Sequence, residues 1–216
     1  MGVICLQGGR EHTAACVGLD SDLLELAEGG PVVVLALASE NLRSNAAAAD
    51  LAKRHFLDLG ASAVSVITDP GPAAAAVEAV RGARLVVIPG GSPRVLIDAM
   101  HRSGLATEVT RAAADGTVIS GASAGAMVLC EWMVLPGRRL EVGPGLGLVE
   151  GLVVLPHYDG GHADWVSVVR ARLGDDVDMI GLPECSGVLL DGEAIVAVGA
   201  AAATLLTVDG PRLLAI

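Results

Sequence analysis

Aromatic side chains are scarce in this sequence: Phe, Tyr and Trp make up only 2% of its 216 residues. The core must therefore come from Val, Leu, Ile and Ala, a set that suits buried parallel strands faced by Ala-rich helices. Basic residues are also few. Lys and Arg number 14 against 25 Asp and Glu, a net charge of −11. That balance argues against a nucleic-acid partner, since phosphate contacts need a basic face. Charged residues reach only 18% while hydrophobic ones reach 52%, so the chain is neither disordered nor fibrous. The four cysteines, Cys5, Cys16, Cys130 and Cys185, show no close-paired spacing. They signal neither a zinc site nor a disulfide framework, and buried reduced thiols in a cytoplasmic protein are expected. The opening MGVICLQGGREH lacks the basic start and apolar core of a signal peptide. The longest uncharged run near the C-terminus, AIVAVGAAAATLLTV, is too short to span a membrane and carries a central Gly. It reads as two strands joined by a tight turn. A soluble cytoplasmic protein with no membrane partner is the expectation.

What is present is an alternation of strand-like and helix-like segments. VICLQ (3–7) runs into Gly-Gly, and PVVVLALA (31–38) is the clearest buried strand. In SNAAAADLAKRHFLDLG, Ser44 is placed to cap a helix and Gly60 to end it. Ala48, Leu51, Ala52, Phe56 and Leu59 form its apolar stripe. A strand at 63–68, a helix at 72–82, a strand at 84–91, and helices near 93–102 and 105–114 follow. TVIS then reads as a strand and AGAMVLCEW as a helix. This order implies a mostly parallel sheet with helices on both faces. Beyond about residue 175, VDMIGL, SGVLLDG, EAIVAVG, TLLTVDG and RLLAI read as short strands forming a C-terminal antiparallel extension. With no linker, repeat or low-complexity stretch, residues 1–216 are expected to form a single α/β domain.

Two candidate chemical features lie at strand ends. Gly121-Ala122-Ser123-Ala124-Gly125 satisfies G-x-S-x-G with a strand before it and a helix after. Such a turn exposes the Ser123 hydroxyl and points the Ala124 N–H outward, where negative charge is favoured. The glycines alone are equally compatible with close helix–strand packing. The second feature is the strand ending Pro89-Gly90-Gly91, where an amide at Gly91 or its neighbour Gly90 can approach a ligand closely. In a parallel sheet the C-terminal ends of neighbouring strands share one crevice, so Gly91 and Ala124 together can form an oxyanion hole.

A nucleophilic serine needs a base and a group that orients the base. His55 and His101 lie within helices and read as surface or packing residues, while no spacing makes His12 a base. His157, just past the apolar strand of VVLPHYDGGH, is the preferred base, with His162 as the fallback. For the acid, Asp159 lies two residues after His157, and Glu184 follows the strand in MIGLPECSG. Spacing leaves that choice open.

IPGGSPRVL, GASAGAMVL, VVLPHYD and GLPEC, in this order and with the opening LQGGREH, resemble the aspartyl dipeptidase (dipeptidase E) and cyanophycinase family of serine peptidases. The resemblance covers most of the chain. It implies a fold related to class I glutamine amidotransferases and a Ser-His-Glu triad of Ser123, His157 and Glu184. Asp159 then lines the site, and Gly91 and Ala124 match the oxyanion positions. No metal or organic cofactor is implied. The implied reaction is hydrolysis of a peptide or amide bond in a small substrate, including Asp-X dipeptides. An acidic substrate needs a local positive group, for which Arg10, Arg94, Arg170 and Arg172 are candidates by position. The chain departs from the family where Ser92-Pro93-Arg94 replaces the more usual Asp/Asn-Thr-aromatic run.

Two other functions are weighed beside this one. Metal-assisted hydrolysis through His157, Asp159 and His162 has a mixed His/Asp set in its favour, but the helical H-E-x-x-H pattern is missing. A non-catalytic amidotransferase-like module that binds a ligand or partner draws on the Ser92-Pro93-Arg94 departure. An exposed Ala/Val surface would also serve a homo-oligomer.

Overall fold

The computed structural model describes residues 1–69 and 74–216. The first half is built from β1 (Ile4–Gln7), α1 (Val17–Leu26), β2 (Val32–Leu35), α2 (Leu42–Asp58), β3 (Val64–Ile67), α3 (Ala74–Arg81), β4 (Leu85–Ile88), α4 (Pro93–Ser103), α5 (Leu105–Ala114), β5 (Val118–Ala122) and α6 (Ala124–Leu129). The second half holds β6 (Trp132–Leu135), β7 (Glu141–Pro144), β8 (Leu152–Pro156), α7 (Ala163–Leu173), β9 (Asp178–Leu182), β10 (Ser186–Asp191), β11 (Ala194–Gly199), β12 (Ala203–Thr207) and β13 (Gly210–Leu214).

The main sheet has the strand order β11-β10-β1-β5-β4-β2-β3. Its central strands β1, β5, β4, β2 and β3 are parallel, and β10 and β11 add an antiparallel edge. Strands β1, β2, β4 and β5 are Val-, Ile- and Leu-rich and buried along their whole length, as strands covered on both faces must be. The chain is thus an α/β protein with a central, mostly parallel sheet flanked by helices.

Boundaries follow local chemistry where the signal is strong. Ser92 caps α4 by accepting the Val95 N–H, Pro93 occupies the first turn, and Gly104 ends the helix in the left-handed region at φ 75°. Elsewhere the sequence expectation needs correction. Helix α2 starts earlier than expected, because Asn41 and not Ser44 caps it, its side chain accepting the Arg43 N–H. Its buried face carries Asn45, Ala49, Ala52 and Phe56, and Leu51 from the expected stripe is exposed. Helix α1 was not expected at all. Helix α6 stops at Leu129, so that Trp132, assigned to it by sequence, begins the β6–β7 hairpin. Positions 72 and 73 of the helix expected over 72–82 lie outside the described residues.

The C-terminal strands are shared between two sheets. β10 and β11 extend the main sheet, whereas β12 and β13 join β9 and β8 in a four-stranded sheet. Strands β11 and β12 are therefore not a hairpin, although the sequence reads them as one. Within the smaller sheet β8 and β9 run parallel with Pro156 opposite Leu182, so the loops after these two strands emerge side by side.

Candidate active site

Loops leaving β1, β4, β5, β8 and β9 converge at one end of the sheets. β5 lies between β1 and β4, which brings Ser123 between the Gly8-Gly9 turn and the Pro89-Gly90-Gly91 turn. The glycines of GASAG are required by packing. A Cβ at Gly125 would lie 1.9 Å from the Ile88 carbonyl oxygen, and one at Gly121 would lie 2.4 Å from the Gly125 oxygen. Helix α6 can leave the end of β5 this steeply only because both positions lack a side chain. The turn forces Ser123 to φ 50° and ψ −113°, a sparsely populated conformation costing roughly 1–3 kcal/mol. Packing glycines and an exposed hydroxyl are two consequences of one turn.

Ser123 Oγ lies 2.9 Å from His157 Nε2, and His157 Nδ1 lies 3.3 Å from Glu184 Oε1. With Nδ1–H donated to Glu184, Nε2 is left to accept the serine hydroxyl proton. The imidazole and the carboxylate are each nearly half exposed, at 47% and 43%, so substrate and water can reach both. Asp159, the other acid open by spacing, has no hydrogen bond or ion pair with His157 among the described residues. Its Oδ1 accepts the Gly161 N–H at 2.9 Å and it stands 4.0 Å from His162 Nδ1. His162 packs its ring against Tyr158 and Trp165. His157, Asp159 and His162 are not gathered, and among the described residues no group of His, Cys, Asp or Glu is arranged to hold a metal ion.

The remaining histidines are packing or surface residues. His55 forms a buried pair with Asp20, Nε2 to Oδ2 at 2.8 Å, and His101 is exposed near the end of α4. His12 is buried against the rings of His55 and Phe56, and burial lowers its pKa.

The turn after β1 touches every part of the arrangement. The Gln7 carbonyl accepts the Ser123 N–H, the Gly8 carbonyl the His157 N–H, and the Gly9 carbonyl the N–H of Cys185, next to Glu184, each at 2.9 Å. Arg10 Nη1 approaches Glu184 Oε2 at 3.5 Å. Glu11 Oε1 accepts the Gly90 N–H at 2.7 Å. Residues 7 to 11 thus hold the serine loop, the histidine loop, the glutamate loop and the glycine loop in succession. Arg10 and His12 take left-handed φ values of 56° and 60° to do so. The Arg10 carbonyl accepts from the Cys16 thiol at 3.2 Å, and burial pushes that thiol up to about 11, so it stays protonated and able to donate.

The glycine loop is pinned on both sides of one free amide. Glu11 holds the Gly90 N–H, and the Ala38 carbonyl accepts the Ser92 N–H at 2.8 Å. Between them, the Gly91 N–H has no acceptor among the described residues. The Ala124 N–H opens α6 and has no intrahelical acceptor. Of the arginines considered from sequence, Arg94 is paired with Glu141 at 2.7 Å and Arg10 approaches Glu184. The Arg172 guanidinium stands 5.8 Å from the Trp132 ring centroid. Arg170 Nε is buried with no hydrogen-bond partner among the described residues. Glu11, which lies in LQGGREH but is not among the candidate residues read from the sequence, stands two residues beyond the Gly8-Gly9 end of β1, a position that borders the crevice.

A hydroxyl, an imidazole and a carboxylate in hydrogen-bonding series, on a strained strand-to-helix turn of a parallel sheet, have the arrangement that activation of a serine nucleophile requires. Comparison with known families narrows the class. Residues 18–198 match the model of peptidase family S51, and the chain belongs to that family; it is a serine peptidase. Among solved structures, a peptidase from an acI-B1 actinobacterium is similar in fold, with a TM-score of 0.81 at 22% identity over 99% of this chain and 94% of that one. A protein assigned as peptidase E from Listeria monocytogenes EGD-e is similar with a TM-score of 0.69 at 16% identity, over 93% of this chain and 100% of that one. No curated protein matches the sequence. Among the described residues no helix is long and apolar enough to cross a membrane.

Proposed function

We propose that this peptidase hydrolyses an amide bond in a small peptide through an acyl-enzyme on Ser123, with His157 as general base and Glu184 as its orienting carboxylate. The observation that carries the reading is the 2.9 Å contact of Ser123 Oγ with His157 Nε2. Nε2 takes the hydroxyl proton as Oγ attacks the scissile carbonyl, and Glu184 stabilises the imidazolium through Nδ1–H. The carbonyl oxygen gains charge as the tetrahedral intermediate forms. The free N–H groups of Gly91 and Ala124 receive it, each worth roughly 3 kcal/mol at the transition state. The imidazolium then protonates the leaving amine, and a water activated by His157 releases the acid product.

A cleft of about 580 Å³ opens on the other side of Gly90 and Gly91 and is lined by Ser39, Glu40, Asn41, Ser44 and Ser92 among others. It is the pocket we assign to a substrate side chain. Family resemblance supports aspartate there. The lining supports an uncharged polar or basic side chain instead, because Glu40 is its single charged residue among those described and Arg10 and Arg94 are engaged with carboxylates. One apolar core joins residues of both sheets, which supports treating residues 1–216 as one domain. The four free, buried cysteines support a cytoplasmic location.

The reading is tested with a panel of Asp-X, Lys-X, Ser-X and β-aspartyl dipeptides, using wild type and Ser123→Ala. Turnover by wild type and none by the alanine variant is expected. Equal turnover by both would remove Ser123 from the reaction, and the order of the substrates decides between the two side-chain readings.

A further inference from the structure

Glu11 has no partner in the triad, yet it is the carboxylate that meets the backbone of the glycine loop. Oε1 accepts the Gly90 N–H at 2.7 Å, a short, charge-assisted bond. A single Cβ at Gly90 would touch both Glu11 Oε1, at 3.2 Å, and Ser123 Cβ, at 3.1 Å, so the bond lies directly beside the nucleophile loop. On the far side of Gly91, the Ser92 N–H is tied to the Ala38 carbonyl. Gly91 itself has φ 143°, and a Cβ there would lie 2.6 Å from the Ala38 oxygen. The free Gly91 N–H is therefore aimed by what its two neighbours are bonded to. A glycine pair has no side chains with which to hold itself, and its backbone is the most permissive in the chain.

We infer that Glu11 is a positioning residue: by holding the Gly90 N–H it fixes the orientation in which the Gly91 N–H meets the developing oxyanion. The inference rests on the oxyanion reading given above. Glu11 acts as an acceptor, and its negative charge is not what the reaction uses. A negative charge beside the oxyanion would on its own oppose the transition state, so the part of Glu11 that serves the loop is its acceptor oxygen, which a Gln side chain also carries. The same turn places Arg10 on Glu184, so adjacent residues brace the two ends of the proton and charge path. The residues on either side of Glu11 carry the strain, Arg10 and His12 being left-handed, as expected of a loop whose conformation is imposed by what it must reach.

The test uses the full chain, with Glu11→Gln, which keeps an acceptor oxygen, and Glu11→Ala, which removes it. In Glu11→Ala, kcat should fall by up to about 10²-fold, the scale of one misdirected oxyanion donor, while KM changes little. Glu11→Gln should recover most of kcat. Amide hydrogen exchange of Gly90, read by NMR, supplies a measure that does not depend on turnover: slow in wild type and Glu11→Gln, fast in Glu11→Ala. An unchanged kcat in Glu11→Ala overturns the inference, as does equally slow Gly90 exchange in all three proteins. Equal damage in the Gln and Ala variants also overturns it, and assigns the charge to a cationic group of the substrate. If wild type neither turns over a peptide nor reacts with a fluorophosphonate, the hydrolase reading fails, and the Gly90 exchange still decides whether Glu11 holds the loop.

Discussion

The imidazole of His157 rests on Gly9: a Cβ added at that glycine would lie 2.3 Å from Cε1 and 2.9 Å from both ring nitrogens. Gly9 also has φ 124°, a conformation that side-chain-bearing residues rarely adopt. Gly9→Ala should push the ring away from Ser123 and lower kcat/KM by about 10²-fold or more, the cost of a displacement near 1 Å. The fold should persist, because the ring is half exposed and can move. Steady-state kinetics beside circular dichroism check this; full activity would mean that the ring is free to sit elsewhere.

Gly125→Ala should act on stability. Its Cβ would lie 1.9 Å from the Ile88 carbonyl oxygen, a backbone atom that cannot rotate aside. Separating α6 from β4 should cost about 3 kcal/mol, read as a lower urea midpoint at unchanged m-value. An unaltered midpoint would contradict the close approach of helix and strand.

The two carboxylates near His157 should differ sharply. Glu184→Gln leaves Nδ1 without its anionic partner and should lower kcat by about 10³-fold or more. Asp159→Asn removes an exposed group engaged, among the described residues, by its own turn and His162, and kcat should stay near wild type. Kinetics of both variants on one substrate decide, and the reverse order would transfer the orienting role to Asp159.

The pH dependence of stability should include a contribution from Glu108. Hydrogen bonds from Arg111 first, and also from Arg81, hold its carboxyl below the usual range, against the opposing effect of burial. The unfolded chain therefore binds this proton more readily than the folded one. The stabilisation is complete above the unfolded value, about 4.3, and is lost as pH falls through the lowered folded value. Glu108→Gln should lower stability at pH 7 and flatten its decline toward pH 3, measured by urea unfolding at each pH. Identical slopes in the two proteins would show that the pairing adds nothing.

Where local signals are strong, sequence and structure agree closely. Ser92, Pro93 and Gly104 set the limits of α4 because capping, fixed φ and left-handed freedom act within a few residues. The parallel core was legible in its unbroken Val/Ile/Leu runs, and Ser123 and His157 stood out as candidates just past strand ends, whereas Glu184 was preferred to Asp159 only through the family resemblance, because spacing leaves that choice open. Helix α1 escaped because its segment opens on Ala14-Ala15-Cys16 and contains Gly18, which blurs both cap and period. The division of β10 to β13 between two sheets escaped because pairing partners are chosen by tertiary packing, and each short strand looks alike in isolation. Glu11 escaped for the same reason: its acceptor role exists only once β1 and β4 are brought together across 79 positions.

Treatment of the folded protein with a fluorophosphonate, followed by intact and peptide mass spectrometry, tests the convergence of these loops most directly. Wild type should gain one phosphonyl group, mapped to Ser123, and Ser123→Ala should gain none. Equal modification of both proteins, or none of wild type, would contradict the reading of Ser123 and His157 as nucleophile and base.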